Sequence, residues 1–217
     1  MNPNLTIDLL CEAAGLFAQL KSHHAEQSLY GVTDGKAIGT YLEHSFKKYL
    51  RETYEYLEGS SASGIDFPEL NVDMKVTKIT QPQSSCPYKS AKQKIYGLGY
   101  SLLIFVYDKM DDPNSLSGQL NILHTIFVEA ERTADYQTTS GILNILQNHG
   151  NQDDILAFLM DRYLPVDDIT ANHIAQEIIS NPPVIGYLTI SNALQWRLQY
   201  RRAIDLAGEV DGIRKIS

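Results

Sequence analysis

The sequence lacks the features that would place it outside ordinary globular proteins. Its 2 cysteines, Cys11 and Cys86, form neither a disulfide framework nor a Cys-x-x-Cys pair, so a reducing, cytoplasmic compartment fits best. The longest apolar run, Leu102 to Tyr107, is too short to span a bilayer, and we expect no membrane partner. No basic segment precedes an apolar stretch at the N-terminus, so we expect no secretory signal. A chain of 217 residues that is 43% hydrophobic and 20% charged can bury a core, which excludes disorder and coiled coils.

Acidic residues are missing from one long window, although the whole chain carries a net charge of −8. Residues 74–107 contain five lysines and no acid, which gives +5. Residues 108–168 contain eleven acids against three bases, which gives −8. A polyanion can bind the basic parts of an acidic protein, so this distribution is compatible with double-stranded DNA as a partner. The alternative is an ordinary solvated face.

The spacing of apolar residues predicts the order of helices and strands. Helices are predicted over residues 5–29, 36–57, 90–96, 138–147, 153–162, 170–179 and 192–206. Strands are predicted over residues 72–79, 101–107, 121–129 and 184–190, with a loop over 81–87. This order predicts an α/β or α+β fold, with a mixed central β-sheet of about four to six strands flanked by helices and a helical C-terminal half.

Two carboxylates and one amine are expected to converge early in the chain. Asp73 and Lys75 are two residues apart on a predicted strand, so their side chains leave the same face. Asn71 allows a tight turn that can fold Asp66 back beside Asp73. Two carboxylates suit a hard cation such as Mg²⁺, which keeps positions open for water and phosphate. The alternative is a solvated surface ion pair.

The pattern Asp66-x6-Asp73-x-Lys75 resembles the signature of the PD-(D/E)XK nucleases, which have the fold of most type II restriction endonucleases. The local sequence is similar to that of the MutH-type mismatch-repair endonucleases, which have Glu where this chain has Asp73. Upstream, the segment from Gly39 to Glu43 (Gly-Thr-Tyr-Leu-Glu) is similar to the Gly-x-x-Leu-Glu of that family. The resemblance implies a restriction-endonuclease-like fold.

The resemblance also implies a role for each matching residue. Asp66 and Asp73 would hold Mg²⁺ together with the backbone carbonyl of Met74. Glu43 would bind the metal directly or through water, and Lys75 would position the attacking water. For Glu43 the alternative is an exposed helix-face acid paired with the lysine four residues on.

Basic and amide side chains beyond this motif are candidates for DNA contacts. The lysine-rich segment 89–96 could hold phosphates beside the scissile bond, and the Arg- and Gln-containing end of the chain could read base edges in the major groove. The alternatives are a solvated helix and a surface or dimer helix. We expect DNA to be contacted by Lys89, Lys92, Gln93, Lys94, Arg197 and Arg201.

These observations predict a Mg²⁺-dependent endonuclease that hydrolyses DNA phosphodiester bonds, specifically a type II restriction enzyme that cuts double-stranded DNA as a homodimer. One nuclease domain would span residues 1–217, with a core of about 36–107 plus 184–206. The region of about 114–179 would be an insert for recognition or dimerisation. The alternatives are a repair-type nicking or structure-specific nuclease and a non-catalytic binding or scaffold protein.

Overall fold

The computed structural model describes residues 2–59, 64–191 and 195–217. The helices are α1 (Ile7–Ser22), α2 (Gly35–Arg51), α3 (Gln93–Tyr96), α4 (Tyr136–Gln147), α5 (Gln152–Asp161), α6 (Asp168–Ser180) and α7 (Arg201–Asp205). The strands are β1 (Ala25–Glu26), β2 (Val72–Lys78), β3 (Gln83–Pro87), β4 (Ser101–Asp112), β5 (Ser117–Val128), β6 (Thr189–Ile190), β7 (Gln195–Gln199) and β8 (Ile213–Lys215). Among these described helices, none is long and apolar enough to cross a membrane.

The chain divides into two compact units. The first contains Met1–Gln83, Ser101–Val128 and Leu206–Ser217, and the second contains Ser84–Tyr100 and Glu129–Asp205. Residues 84–100 and 184–205, which the sequence analysis places in the nuclease core, belong to the second unit. That these parts act as one nuclease domain stays a prediction.

A mixed sheet forms the centre of the first unit. Its strands follow the order β1-β5-β4-β2, and β8 also pairs with β5. β2 and β4 are parallel, with Asp73 beside Leu102 and Lys75 beside Ile104, whereas β4 and β5 form a long antiparallel pair. The five strands within the described residues confirm the predicted α+β class with a mixed sheet of four to six strands.

Aromatic rings fix helix α2 against this sheet. The ring centroid of Phe46 in α2 lies 5.0 Å from that of Phe17 in α1 and 5.2 Å from that of Phe105 in β4. The predicted spacing of apolar residues along α2 is confirmed, since Ile38, Leu42, Phe46 and Leu50 are all buried. Because one face of α2 is held on the sheet, the edge of that face is positioned next to β2.

The second unit combines a small sheet with helices. The sheet has the order β3-β7-β6. Helices α3 to α6 share an aliphatic core that includes Ile95, Ile142, Ile155, Leu159 and Ile174. The predictions of helices over 138–147, 153–162 and 170–179 are confirmed, each within two residues at either end.

The helix predicted over 192–206 is wrong for residues 195–199. Residues 192–194 lie outside the described residues, and the chain then forms β7 before the short helix α7. Trp196, Leu198 and Tyr200 are buried while Arg197 and Gln199 are exposed. This alternation with a period of two is the pattern of a strand, not of a helix.

Other boundaries differ because of contacts that lie far away in sequence. The predicted loop over 81–87 is wrong in its second part, since β3 pairs there with β7, more than a hundred residues later. The helices predicted over 5–29 and 36–57 end at Ser22 and Arg51. The strand predicted over 184–190 is reduced to β6, whereas β4 and β5 are longer than predicted because they pair with each other along a hairpin.

Candidate active site

A tight turn brings Asp66 back to β2. Phe67 and Val72 form an isolated antiparallel bridge, with N–H···O distances of 2.9 Å and 3.2 Å in the two directions. Asn71 closes the turn in the left-handed region at φ 53°, which asparagine tolerates better than most residues. The backbone N–H of Met74 then donates to Asp66 Oδ2 at 2.9 Å, which fixes the Asp66 carboxylate against the strand.

Asp66 and Asp73 line the same cavity and influence each other's ionisation, which is the juxtaposition that the sequence predicts. Burial raises the pKa of Asp73 to about 6, with a further contribution from the neighbouring Asp66, although Lys75 acts against it. Burial also raises the pKa of Asp66, but hydrogen bonds from Lys47, Asp73 and the Met74 N–H outweigh it and hold that pKa below its ordinary value. The environments of the two acids therefore move their pKa values in opposite directions.

Lys75 stands beside this pair. Its Nζ lies 2.6 Å from Asp73 Oδ2, and its side chain is 22% exposed against 7% for Asp73. The amine is therefore anchored on a buried carboxylate while its other donors stay accessible from solvent. This is the placement that an amine needs if it is to orient a water molecule or a phosphate oxygen near the acids.

Lys47 of α2 is the group that the sequence analysis does not assign to the site. Its Nζ lies 2.8 Å from Glu43 Oε1 and 2.7 Å from Asp66 Oδ1, and its side chain is only 7% exposed. Burial alone would lower the pKa of Lys47, but hydrogen bonds and charge from Asp66 and Glu43 raise it above its ordinary value. Lys47 is therefore a buried, permanently charged ammonium inside the acidic cluster.

A signal for Lys47 is present in the sequence. It follows Phe46 at the edge of the apolar face of α2, and it is four residues from Glu43. From the sequence, an ion pair of Glu43 with Lys47 is the alternative to metal binding by Glu43. In the structure Glu43 forms this ion pair and also belongs to the acidic cluster, because Lys47 contacts Asp66 as well.

The acids and amines line one cavity of about 260 Å³, formed by Glu43, Lys47, Gly59, Gly64, Ile65, Asp66, Asp73, Met74 and Lys75. The structure therefore brings all four predicted catalytic residues, Glu43, Asp66, Asp73 and Lys75, to the same place. A cavity of this size can admit a phosphate group with its water.

The donor set fits a hard divalent cation held by two carboxylates. Mg²⁺ is commonly bound through one or two carboxylates, with waters and substrate phosphates completing its octahedron. Asp66 and Asp73 supply that pair. In the described part of the chain no three His, Cys, Asp or Glu side chains are arranged to hold a metal. The carboxylate of Glu43 contacts Lys47.

The residues predicted to contact DNA differ in their exposure, and all six belong to the second unit. Lys89, Lys92, Arg197 and Arg201 are exposed, and Lys92 forms an ion pair with Glu177. Arg197 and Arg201 lie on β7 and α7 rather than on one helix, which corrects the geometry expected for them.

Gln93 and Lys94 are buried, which is a correction to their expected place on an exposed helix face. The Gln93 amide donates to the carbonyl oxygen of Leu98 at 3.2 Å, and its Oε1 accepts from the backbone N–H groups of Lys89 and Ser90. Burial lowers the pKa of Lys94, with Asp135 acting against that shift. Gln93 therefore organises the local turn.

Comparisons with known proteins agree over nearly the whole chain. The family model described as "Type II restriction enzyme NspV" matches residues 4–215. The curated type II restriction enzyme NspV of Nostoc sp. (strain ATCC 29411 / PCC 7524) is 64% identical over 209 residues, which cover 96% of this chain and 95% of that protein. No solved structure matches.

Proposed function

The chain belongs to the NspV family of type II restriction enzymes, and from this membership we propose that it cuts double-stranded DNA at a specific sequence by Mg²⁺-dependent hydrolysis at the acidic cluster. The observation that carries the proposal is the convergence of Asp66, Asp73 and Lys75 on one cavity, with Lys75 Nζ 2.6 Å from Asp73 Oδ2. Family membership favours this function over the repair nuclease and the scaffold protein considered from the sequence alone.

In this proposal the site is a PD-(D/E)XK centre, with Asp66, Asp73 and the backbone carbonyl of Met74 holding the metal. When bound, the divalent cation supplies a Lewis acid that stabilises charge on the scissile phosphate. The placement of both carboxylates on one cavity supports this role, because a divalent cation is commonly held by one or two carboxylates.

Lys75 is proposed to orient the attacking water and to stabilise negative charge that develops on the phosphate. Its ammonium is held by Asp73 Oδ2, so the amine keeps one geometry relative to the carboxylate pair. A preorganised donor of this kind stabilises a developing charge more than a mobile one does. Glu43 is proposed to act through water, since its carboxylate is held by Lys47.

The exposed basic side chains Lys89, Lys92, Arg197 and Arg201 are proposed DNA contacts, and a homodimer is proposed because cutting both strands of a symmetric site needs two active sites. Mutation of a phosphate-contacting lysine would weaken binding to all sequences alike and reduce its salt dependence. Mutation of a base-reading arginine would instead relax specificity at one position.

The test is digestion of a fully sequenced phage genome with Mg²⁺, with mapping of the fragment ends. We expect discrete fragments from the native protein, none in the presence of EDTA, and none from Asp73→Ala or Lys75→Ala. The Lys36→Ala variant, which removes an exposed lysine from the first turn of α2, serves as the control and should give the same fragments as the native protein. A smear of fragments would contradict sequence specificity, and undiminished cleavage by Asp73→Ala would contradict the assigned site.

A further inference from the structure

Lys47 fills the space between two of the acids that the proposed function assigns to metal binding. Its ammonium is 2.8 Å from Glu43 Oε1 and 2.7 Å from Asp66 Oδ1, and the more distant Glu58 Oε1 lies at 3.9 Å. The side chain is 7% exposed, so the ammonium is largely withdrawn from solvent. This ammonium occupies the position from which a cation could contact both Glu43 and Asp66.

The charges of the cluster favour one divalent cation over two. The cavity is lined by three carboxylates and two ammonium groups, namely Glu43, Asp66, Asp73, Lys47 and Lys75. With all of them ionised the sum is −1, and Glu58, which lies at the border, is paired with Arg51 at 3.7 Å. One divalent cation brings the sum to +1 and a second would bring it to +3, and uncompensated charge beside buried groups is costly.

The acceptor positions of Asp66 point to the same conclusion. Its Oδ1 accepts from Lys47 and its Oδ2 accepts from the Met74 N–H at 2.9 Å. An ionised carboxylate has about four lone-pair positions, so Asp66 keeps acceptor capacity in the cavity that it lines together with Asp73. The position between Asp66 and Asp73 therefore suits a cation, whereas the position between Asp66 and Glu43 is taken.

We propose that each chain holds a single divalent cation between Asp66 and Asp73, and that the Lys47 ammonium takes the place of a second cation between Glu43 and Asp66. This inference rests on the proposed function, since it assumes that the acidic cluster binds a metal. Lys47 is a positioning residue: it holds Glu43 and Asp66 in place.

The test counts Mn²⁺ ions bound to the metal-free full-length protein, by the loss of the electron paramagnetic resonance signal of free Mn²⁺. Mn²⁺ accepts the same oxygen ligands as Mg²⁺. Only ions whose binding is lost in Asp66→Asn are counted, because Asp66 would be a ligand at both positions, and this removes weak binding elsewhere on an acidic protein. We expect one such ion per native chain and two per chain in Lys47→Met, because that variant frees Glu43 and one oxygen of Asp66.

A matched control is Lys109→Met. The side chain of Lys109 is 8% exposed and pairs with Asp111, so this variant also removes a buried, paired ammonium from the first unit. We expect it to bind one ion per chain, like the native protein. Lys47→Arg keeps the positive charge and should also bind one.

The outcomes separate this inference from the proposed function. Two ions per native chain that both disappear in Asp66→Asn would overturn the inference while leaving the metal-dependent site intact, and this count does not depend on how Lys47→Met folds. A count of one in a folded Lys47→Met variant would also overturn it. If the native protein binds no Mn²⁺ that Asp66→Asn removes, the metal site itself is wrong.

Discussion

Replacement of Asp73 by asparagine is expected to stabilise the metal-free protein at neutral pH, although it destroys the site. Asparagine has nearly the shape of a protonated aspartic acid and cannot ionise. In the native protein the pKa of Asp73 is raised from 3.8 to about 6, because the carboxyl is buried beside Asp66. At about 1.36 kcal/mol for each pH unit, this difference corresponds to about 3 kcal/mol.

The sign and the pH range follow from linkage. Below pH 3.8 Asp73 is protonated in both the folded and the unfolded chain, and it makes no pH-dependent contribution. Between pH 3.8 and about 6 the unfolded chain ionises first, so the free energy of unfolding falls as the pH rises. Above about pH 6 both states are ionised, and the loss of stability stays constant.

The assay is urea unfolding in EDTA, followed by circular dichroism at several pH values. The free energy of unfolding of Asp73→Asn should exceed that of the native protein by about 3 kcal/mol at neutral pH and by almost nothing near pH 4. Asp112→Asn is the control, because hydrogen bonds from Ser115 and Asn114 lower the pKa of Asp112, so its replacement destabilises the protein as the pH rises. Equal stability of Asp73→Asn and the native protein at neutral pH would refute the reasoning.

Other substitutions separate catalysis, turn geometry and packing. Lys75→Met should reduce single-turnover DNA cleavage by about 10²–10³-fold and still bind one Mn²⁺ per chain, since the amine is proposed to act on water and phosphate. Asn71→Ala should lower the free energy of unfolding by about 1 kcal/mol, whereas Asn71→Gly should not, because φ is 53° there. Phe46→Ala should lower the free energy of unfolding by about 3–5 kcal/mol in the same urea assay, since the native ring packs between Phe17 and Phe105. Unchanged cleavage by Lys75→Met would contradict the proposed role of the amine. An equal loss of stability in both Asn71 variants would contradict the argument from φ, and a loss below 1 kcal/mol for Phe46→Ala would contradict the argument from packing.

Local pattern was enough to predict the parts of the site that are close in sequence. The strand from Val72 to Lys78, the turn at Asn71 and the common face of Asp73 and Lys75 depend on short-range geometry. The helix that carries Glu43 is also set by its own periodicity and by the Asp34 N-cap. These elements therefore appear in the structure where the sequence places them.

Long-range pairing decided what the sequence could not predict. Trp196, Leu198 and Tyr200 alternate with polar residues, but the Arg- and Gln-rich end of the chain also suits a helix, and the pairing of β7 with β3 settles the choice. The place of Lys47 in the acidic cluster is not predictable from local spacing for a similar reason. Its spacing to Glu43 is visible, but its second contact crosses 19 residues to Asp66 and exists only after the turn has folded.

The central claim is that Asp66 and Asp73 share one divalent cation. The most direct measurement is an anomalous difference map from crystals of the protein grown with Mn²⁺. The account predicts one peak per chain in the acidic cavity, about 2.1 Å from a carboxylate oxygen of each residue, with Lys47 still bonded to Glu43. A protein that cleaves DNA with Mn²⁺ but shows its peak away from both carboxylates would contradict it.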